Sequence, residues 1–182
     1  MKLACLLADG FEDIEALGTS AILRRAGIEV DFFSVHNHYH VTGAYGTTVT
    51  NIKQMKDMYV DDYDGLFIPG GKAAFKIRDE QPVKDIAISF FEKDKWMLAI
   101  CAAPTVFGML GIMDGLKYIS YPGTEDNMGK AKRMDQKSVR DGRFITGRSA
   151  GSVYDFAFEV VKALKGQEAL EALKKSLAYW KD

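Results

Sequence analysis

Short apolar runs alternate with amphipathic stretches along almost the whole chain. Leu3-Ala4-Cys5-Leu6-Leu7 sits inside a run from Lys2 to Ala8 that predicts a buried first strand, with Asp9-Gly10 as the turn at its end. From Asp13 to Ala26, the positions Ile14, Leu17, Ala21 and Ile22 keep helical spacing, and Arg24-Arg25-Ala26-Gly27 supplies terminal cations and a glycine just past the helix. Ile28 to Ser34 reads as a second strand and completes a β-α-β unit. Leu66-Phe67-Ile68, stopped by Pro69-Gly70-Gly71, is a third core strand, and Pro82 to Lys93 is a helix with proline in its first turn. Trp96 to Ile100 is a further buried strand, which delivers Cys101 to a sharp turn into a helix carrying Val106, Met109 and Leu110.

Residues 39–50, rich in Val, Thr and Tyr and broken by Gly43 and Gly46, predict an antiparallel hairpin inserted into the otherwise parallel order. Val139 to Thr146, turning at Asp141-Gly142, predicts another. Tyr118-Ile119-Ser120 is a short strand, and residues 149–164 and 167–179 form two closing helices joined at Gly166. The pattern predicts one α/β domain over residues 1–182, a doubly wound, mostly parallel, flavodoxin-like sandwich with inserted hairpins.

Composition narrows the function classes. With 182 residues, 47% of them apolar, the chain can bury a core without staples. A formal net charge of -1 and the absence of a basic block argue against a nucleic-acid surface, and Lys130-Ala131-Lys132-Arg133 reads as solvated surface. No apolar run approaches the roughly 18 residues needed to span a bilayer, and no secretory segment is recognisable, so a cytoplasmic location is expected. Two cysteines occur, Cys5 within the first strand and Cys101 at the turn; a disulfide between them stays open, and a reduced cytosolic protein is the simpler account. His36, His38 and His40 alternate on an extended segment, a pattern a transition metal can use, yet no cysteine or acidic residue nearby in sequence completes a ligand set, so no metal site is assigned. Met109 and Met113 read as core filler.

Cys101 carries the candidate chemistry. It stands at the carboxyl end of a central strand, where parallel sheets bind ligands, and a helix starting just after it aims N–H groups and the positive dipole end at the sulfur, which predicts a lowered thiol pKa. The alternative is a buried cysteine packing as a small hydrophobe. Glu15 shares a predicted helix face with Gly18 and Ile22, a setting that raises a carboxyl pKa, against the plainer reading of a solvated first-turn glutamate.

Three segments are predicted to meet at the carboxyl ends of neighbouring strands: Gly10-Phe11-Glu12-Asp13-Ile14-Glu15, Pro69-Gly70-Gly71, and Ala99-Ile100-Cys101-Ala102-Ala103-Pro104-Thr105. Together with Arg24-Arg25-Ala26-Gly27-Ile28 and the stretch from Asp141-Gly142 through Phe156-Ala157, they resemble the ThiJ/PfpI superfamily, most closely the branch of the Parkinson-linked protein deglycase and its bacterial relatives. The resemblance implies that Cys101 is the reactive nucleophile, Glu15 its partner acid, and the backbone N–H groups of Gly71 and Ala102 an oxyanion hole. It also implies a homodimer that needs no cofactor. The family's usual histidine is missing: Ala102 follows the cysteine, and Tyr121 stands where the histidine of the closest branch would be. A tyrosine, with a pKa near ~10, donates hydrogen bonds but is a poor general base at neutral pH, which weakens an amidase-like hydrolase reading.

The leading expectation is a cysteine-dependent, cofactor-independent enzyme acting on small reactive carbonyls, glyoxalase- or deglycase-like, with Tyr121 orienting the adduct. The alternative is a redox-sensing or stress-protective protein whose cysteine oxidises to sulfinate without turnover.

Overall fold

The computed structural model describes residues 1–179, and its element order follows the apolar pattern closely. Strand β1 (Lys2–Leu7) is followed by a π-helical turn (Ile14–Gly18) that runs into α1 (Thr19–Arg25), then β2 (Glu29–Ser34). The hairpin of β3 (His40–Thr42) and β4 (Thr48–Thr50) forms its own two-stranded sheet beside the main one, and β5 (Lys53–Gln54) is a two-residue edge strand against β2. Strand β6 (Gly65–Ile68), α2 (Lys72–Ile77), α3 (Gln81–Glu92), β7 (Trp96–Ile100) and α4 (Pro104–Met109) follow. Strands β8 (Lys117–Tyr118) and β9 (Lys132–Arg133) pair as a second small ribbon, β10 (Ser138–Asp141) and β11 (Phe144–Gly147) form the second hairpin, and α5 (Val153–Lys165) and α6 (Gln167–Ser176) close the chain.

The main sheet has the order β10-β11-β7-β6-β1-β2-β5 and is parallel throughout except for β10. Its central strands are apolar at nearly every position because α5 lies against β11 on one side and α3 against β6 and β7 on the other, so both faces are covered. The chain runs outward from β1 to β2 and β5, then returns to β6 on the other side of β1, so the winding reverses between β1 and β6. In sheets of this kind ligands bind at such a reversal, at the carboxyl ends of the strands. Residues 9–15, the Gly70-Gly71 turn and Cys101 all lie at those ends.

Several expectations change. The stretch from Asp13 to Ala26 is helical, but its first turn is π, and that extra residue rotates the phase of the face. Glu15, Ala16, Thr19, Ser20 and Leu23 point inward, whereas Ile14, 57% exposed, and Ala21 turn out; of the four apolar positions read as the core face only Ile22 is buried. The segment at 118–120 does not extend the main sheet, because the Ile119 N–H is taken by the Thr146 side chain (2.9 Å) and only Lys117–Tyr118 pairs, with β9. Met113 is core, but Met109 is exposed. The short, lysine-bearing β5 and β9 and the six-residue α2 carry too little periodicity to be read from sequence.

Candidate active site

Cys101 directly follows β7 and sits in a left-handed conformation, φ 65°. That backbone region disfavours a residue bearing a Cβ by roughly 1–2 kcal/mol, so neighbours must hold it. The Cys101 N–H donates to the Gly147 carbonyl (2.9 Å) at the end of β11, and the Cys101 carbonyl accepts from the Tyr121 N–H (2.8 Å). The Thr105 hydroxyl closes the following turn by donating to the Ala102 carbonyl (2.7 Å). Pinned this way, the side chain leaves the strand end at a sharp angle while the backbone turns into α4.

The glycine turn after β6 makes room for the sulfur. A Cβ on Gly70 would lie 2.5 Å from the Cys101 Cβ, 2.6 Å from a Glu15 carboxylate oxygen and 3.0 Å from Sγ, so only glycine permits this approach. Gly71 has φ 85°, and a Cβ there would meet the Gly10 carbonyl oxygen at 2.5 Å and the Glu12 nitrogen at 2.6 Å. The turn is tied to the segment after β1: Glu12 N–H donates to Gly70 O (3.2 Å), Ala73 N–H to Gly10 O (3.2 Å), and Phe11 bridges Gly71.

Glu15 enters this cluster from the π-helical turn and is 1% exposed. Its Oε2 accepts the Gly70 N–H at 2.9 Å, its carboxyl hydrogen-bonds the Cys101 thiol, and the backbone N–H of Ala150 also faces it. Burial pushes the Glu15 carboxyl up to about 7, and the nearby charge of Glu12 adds to the shift; the bonds from Cys101, Gly70 and Ala150 oppose it without cancelling it.

The thiol does not follow the expectation of a lowered pKa. Burial pushes Cys101 up to about 12, and the negative charge of Glu15 and its hydrogen bond push the same way. The N–H groups of Gly71 and Ala102 do reach the sulfur and favour the anion, as the helix-start argument requires, but desolvation wins. The pair titrates together, and its first ionisation falls near neutral pH and centres on Glu15. A carboxylate touching the thiol near pH 7 is a general base for it, and the same group, once protonated, is an acid for an oxygen formed beside the sulfur.

Cys101, Glu15, Gly71 and Ala102 therefore come together as the sequence placed them. Tyr121 joins through its backbone, and the residue is 49% exposed. Ala150 and Gly70 were missed as contributors. Gly70 lies inside the quoted Pro-Gly-Gly motif, but its role needs the Glu15 oxygen in view. Ala150 acts through its main chain, which leaves no mark on residue type.

The other candidates fall elsewhere. Cys5 is fully buried in β1, its thiol pushed far up by burial, and both cysteines are free. His36 pairs with Glu80 (3.0 Å), and no group of three metal-capable side chains occurs among the described residues. Arg133 of the basic cluster pairs with Glu125 (3.0 Å). No helix among the described residues is long and apolar enough to cross a membrane.

Comparison with known proteins places the sequence and the fold. A deglycase from Pyrococcus abyssi is 32% identical over 167 residues, covering 91% of this chain and all of its own length. Protein dj-1beta from Drosophila melanogaster is 30% identical over 175 residues, 94% of either chain. The crystal structure of Drosophila DJ-1beta superposes with a TM-score of 0.90 at 27% identity, over 99% of this chain and 98% of that one. The DJ-1/PfpI family model matches residues 1–163, and the chain belongs to the DJ-1/PfpI family.

Proposed function

We propose that this protein is a cysteine-dependent, cofactor-independent enzyme acting on small reactive carbonyls, deglycase- or glyoxalase-like. The observation that carries the reading is the buried Glu15 carboxyl, poised near neutral pH, in hydrogen-bond contact with a thiol held on a left-handed elbow. The names of its relatives from Pyrococcus point the same way. In the first step Glu15 takes the Cys101 proton, the sulfur adds to the aldehyde carbon, and the C=O π pair moves onto oxygen. The N–H groups of Gly71 and Ala102 stabilise that oxyanion, and Glu15 returns the proton to give a neutral hemithioacetal. No histidine is required, because Glu15 both accepts and donates. Tyr121, whose N–H bonds the Cys101 carbonyl, orients the adduct.

Turnover of methylglyoxal, followed by loss of the dicarbonyl and appearance of the hydroxyacid, tests this. Cys101→Ser must abolish turnover and Cys5→Ser must retain it; equal activity in both variants overturns the assignment. Site-resolved alkylation of Cys101 should rise through about pH 7 as Glu15 ionises, and Glu15→Gln should remove that step.

The partial exposure of Cys101 beside a protonatable carboxyl also favours a second reading, a stress-protective cysteine oxidised by peroxide without turnover. Each peroxide would transfer one oxygen to the sulfur as its O–O bond breaks, taking two electrons from the sulfur and releasing the other oxygen as water, giving sulfenate and then sulfinate, with Glu15 donating to the new oxygens. Preferential oxidation of Cys101 over Cys5 without carbonyl turnover would select this reading. Family membership and the outward-facing Ile14 and Ala21 support a homodimer as the working form, and sedimentation of the parent and of Ile14→Glu checks it.

A further inference from the structure

We infer that Asp13 is a positioning residue: it clamps the β3–β4 hairpin onto the segment after β1 and so fixes Glu15 and the Gly70-Gly71 turn against the sulfur. The inference rests on the reading of Cys101 as the reactive group.

Asp13 lies two residues before Glu15 and is 9% exposed, yet no cation among the described residues pairs with it. Its carboxylate is instead spent on the hairpin turn. Oδ2 accepts the Tyr45 N–H (3.0 Å), Oδ1 accepts the Thr47 N–H (3.2 Å), and the Thr47 hydroxyl also donates to it. These donors hold the carboxyl below its usual range although burial opposes them. Gly43 makes the fit: a Cβ there would lie 2.3 Å from Oδ2, and Gly43 has no positive φ to explain the residue otherwise. Further bonds fasten the same two segments, from Thr42 N–H to Asp9 Oδ1 (2.8 Å), Gly10 N–H to Thr42 O (2.8 Å) and Ala44 N–H to Phe11 O (2.8 Å).

The fastened segment is the one that grips the glycine turn. Glu12 N–H holds Gly70 O, Phe11 bridges Gly71, and Ala73 N–H holds Gly10 O. Force applied at the hairpin thus reaches the Gly71 N–H and the Glu15 carboxyl through two layers of hydrogen bonds. The hairpin forms its own two-stranded sheet and packs on the core through Val41 and, in part, Val49, so the Asp13 carboxylate adds a polar clamp to that apolar contact. Asp cannot be replaced by Asn without loss, because each carboxylate oxygen meets a different N–H and the Asn amide would oppose one donor with another.

The test uses the full chain with Asp13→Ala and Gly43→Ala, singly and combined. Peptide-resolved hydrogen exchange is followed over 9–15, 40–50 and 69–73, with 167–176 in α6 as the remote reference, and Cys101 alkylation is followed at pH 8. Each single variant should speed exchange over 69–73 roughly tenfold and slow Cys101 alkylation severalfold, leaving the reference unchanged. The double variant should be no worse than Asp13→Ala alone, because the collision that Gly43→Ala creates needs the carboxylate. Faster exchange confined to 40–50, with residues 69–73 and Cys101 alkylation as in the parent, overturns the inference. Additive losses in the double variant overturn it equally. Should Asp13→Ala not fold, Thr47→Val, which deletes only the hydroxyl donor, must show the same coupling on a smaller scale. Inert Cys101 in the parent would refute the functional reading while the exchange coupling still decides the role of Asp13.

Discussion

Replacing Gly70 by alanine perturbs the site through one methyl group. The backbone at Gly70 is not in a left-handed region, so alanine is conformationally acceptable and the effect is one of space alone. The added Cβ would sit 2.5 Å from the Cys101 Cβ and 2.6 Å from the Glu15 oxygen, about an ångström inside the near edge of ordinary contact at about 3.5 Å. Cys101 cannot retreat, because its N–H and carbonyl are both bonded to neighbouring segments. Glu15 can move only by giving up the Gly70 N–H, which leaves a buried carboxyl and a buried donor short of partners. Overpacking at such a point costs about 1–3 kcal/mol, and a lost hydrogen bond to a buried charged group adds a comparable amount. A total near 3 kcal/mol corresponds to a fall in Tm of about 6–12 °C for a chain of this size. Cys101 alkylation at pH 7.5 should fall roughly tenfold, since the base is displaced from the thiol. Gly151→Ala is the control, as a Cβ there meets only the Ser149 hydroxyl oxygen at 3.9 Å. Thermal melts and site-resolved alkylation of both variants give the answer. If Gly70→Ala matches Gly151→Ala in both, the argument from close approach is wrong.

Other consequences follow from the same contacts. Because the folded Glu15 pKa is raised from 4.5 to about 7, its contribution to stability is full below about pH 4.5 and is lost as pH rises through about 7. Relative to Glu15→Gln, the parent should lose up to about 3 kcal/mol across that window, read from urea midpoints against pH; a constant difference would refute the burial account. Ala150→Pro deletes the N–H facing Glu15 at the first position of a helical turn, after an extended Ser149 that tolerates a following proline. The protein should fold normally with the midpoint of Cys101 alkylation shifted upward, and an unshifted midpoint would show that this N–H does not tune the pair. The Thr19 hydroxyl is buried without a hydrogen-bond partner among the described residues, so Thr19→Val should stabilise the protein by about 1 kcal/mol in urea denaturation, whereas a loss would reveal a bridging water.

Much of this protein is legible in its sequence because short-range rules govern it. Apolar runs of strand length must be buried on both faces, and alternation with helical patterns admits a mostly parallel sheet, so the strand that delivers Cys101 and its place at a carboxyl end could be read directly. The glycine pair after β6 and the segment around Cys101 were recognisable for the same reason: a sharp turn or a close backbone approach restricts which residues can occupy it. What tertiary structure decided is the electrostatics and the phase. The π turn carries Ile14 outward and Glu15 inward, a one-residue shift that a 3.6-residue pattern does not reveal. The thiol pKa went against the local helix argument, because desolvation and a carboxylate from a segment 86 residues away in sequence outweigh the nearby N–H groups. Tyr121 contributes its main chain to the elbow, and Ala150 its main chain to Glu15, neither of which depends on the identity of a side chain. Backbone conformation and burial of a strand are encoded over a few residues, whereas the protonation of a buried group is set by everything that the fold packs around it.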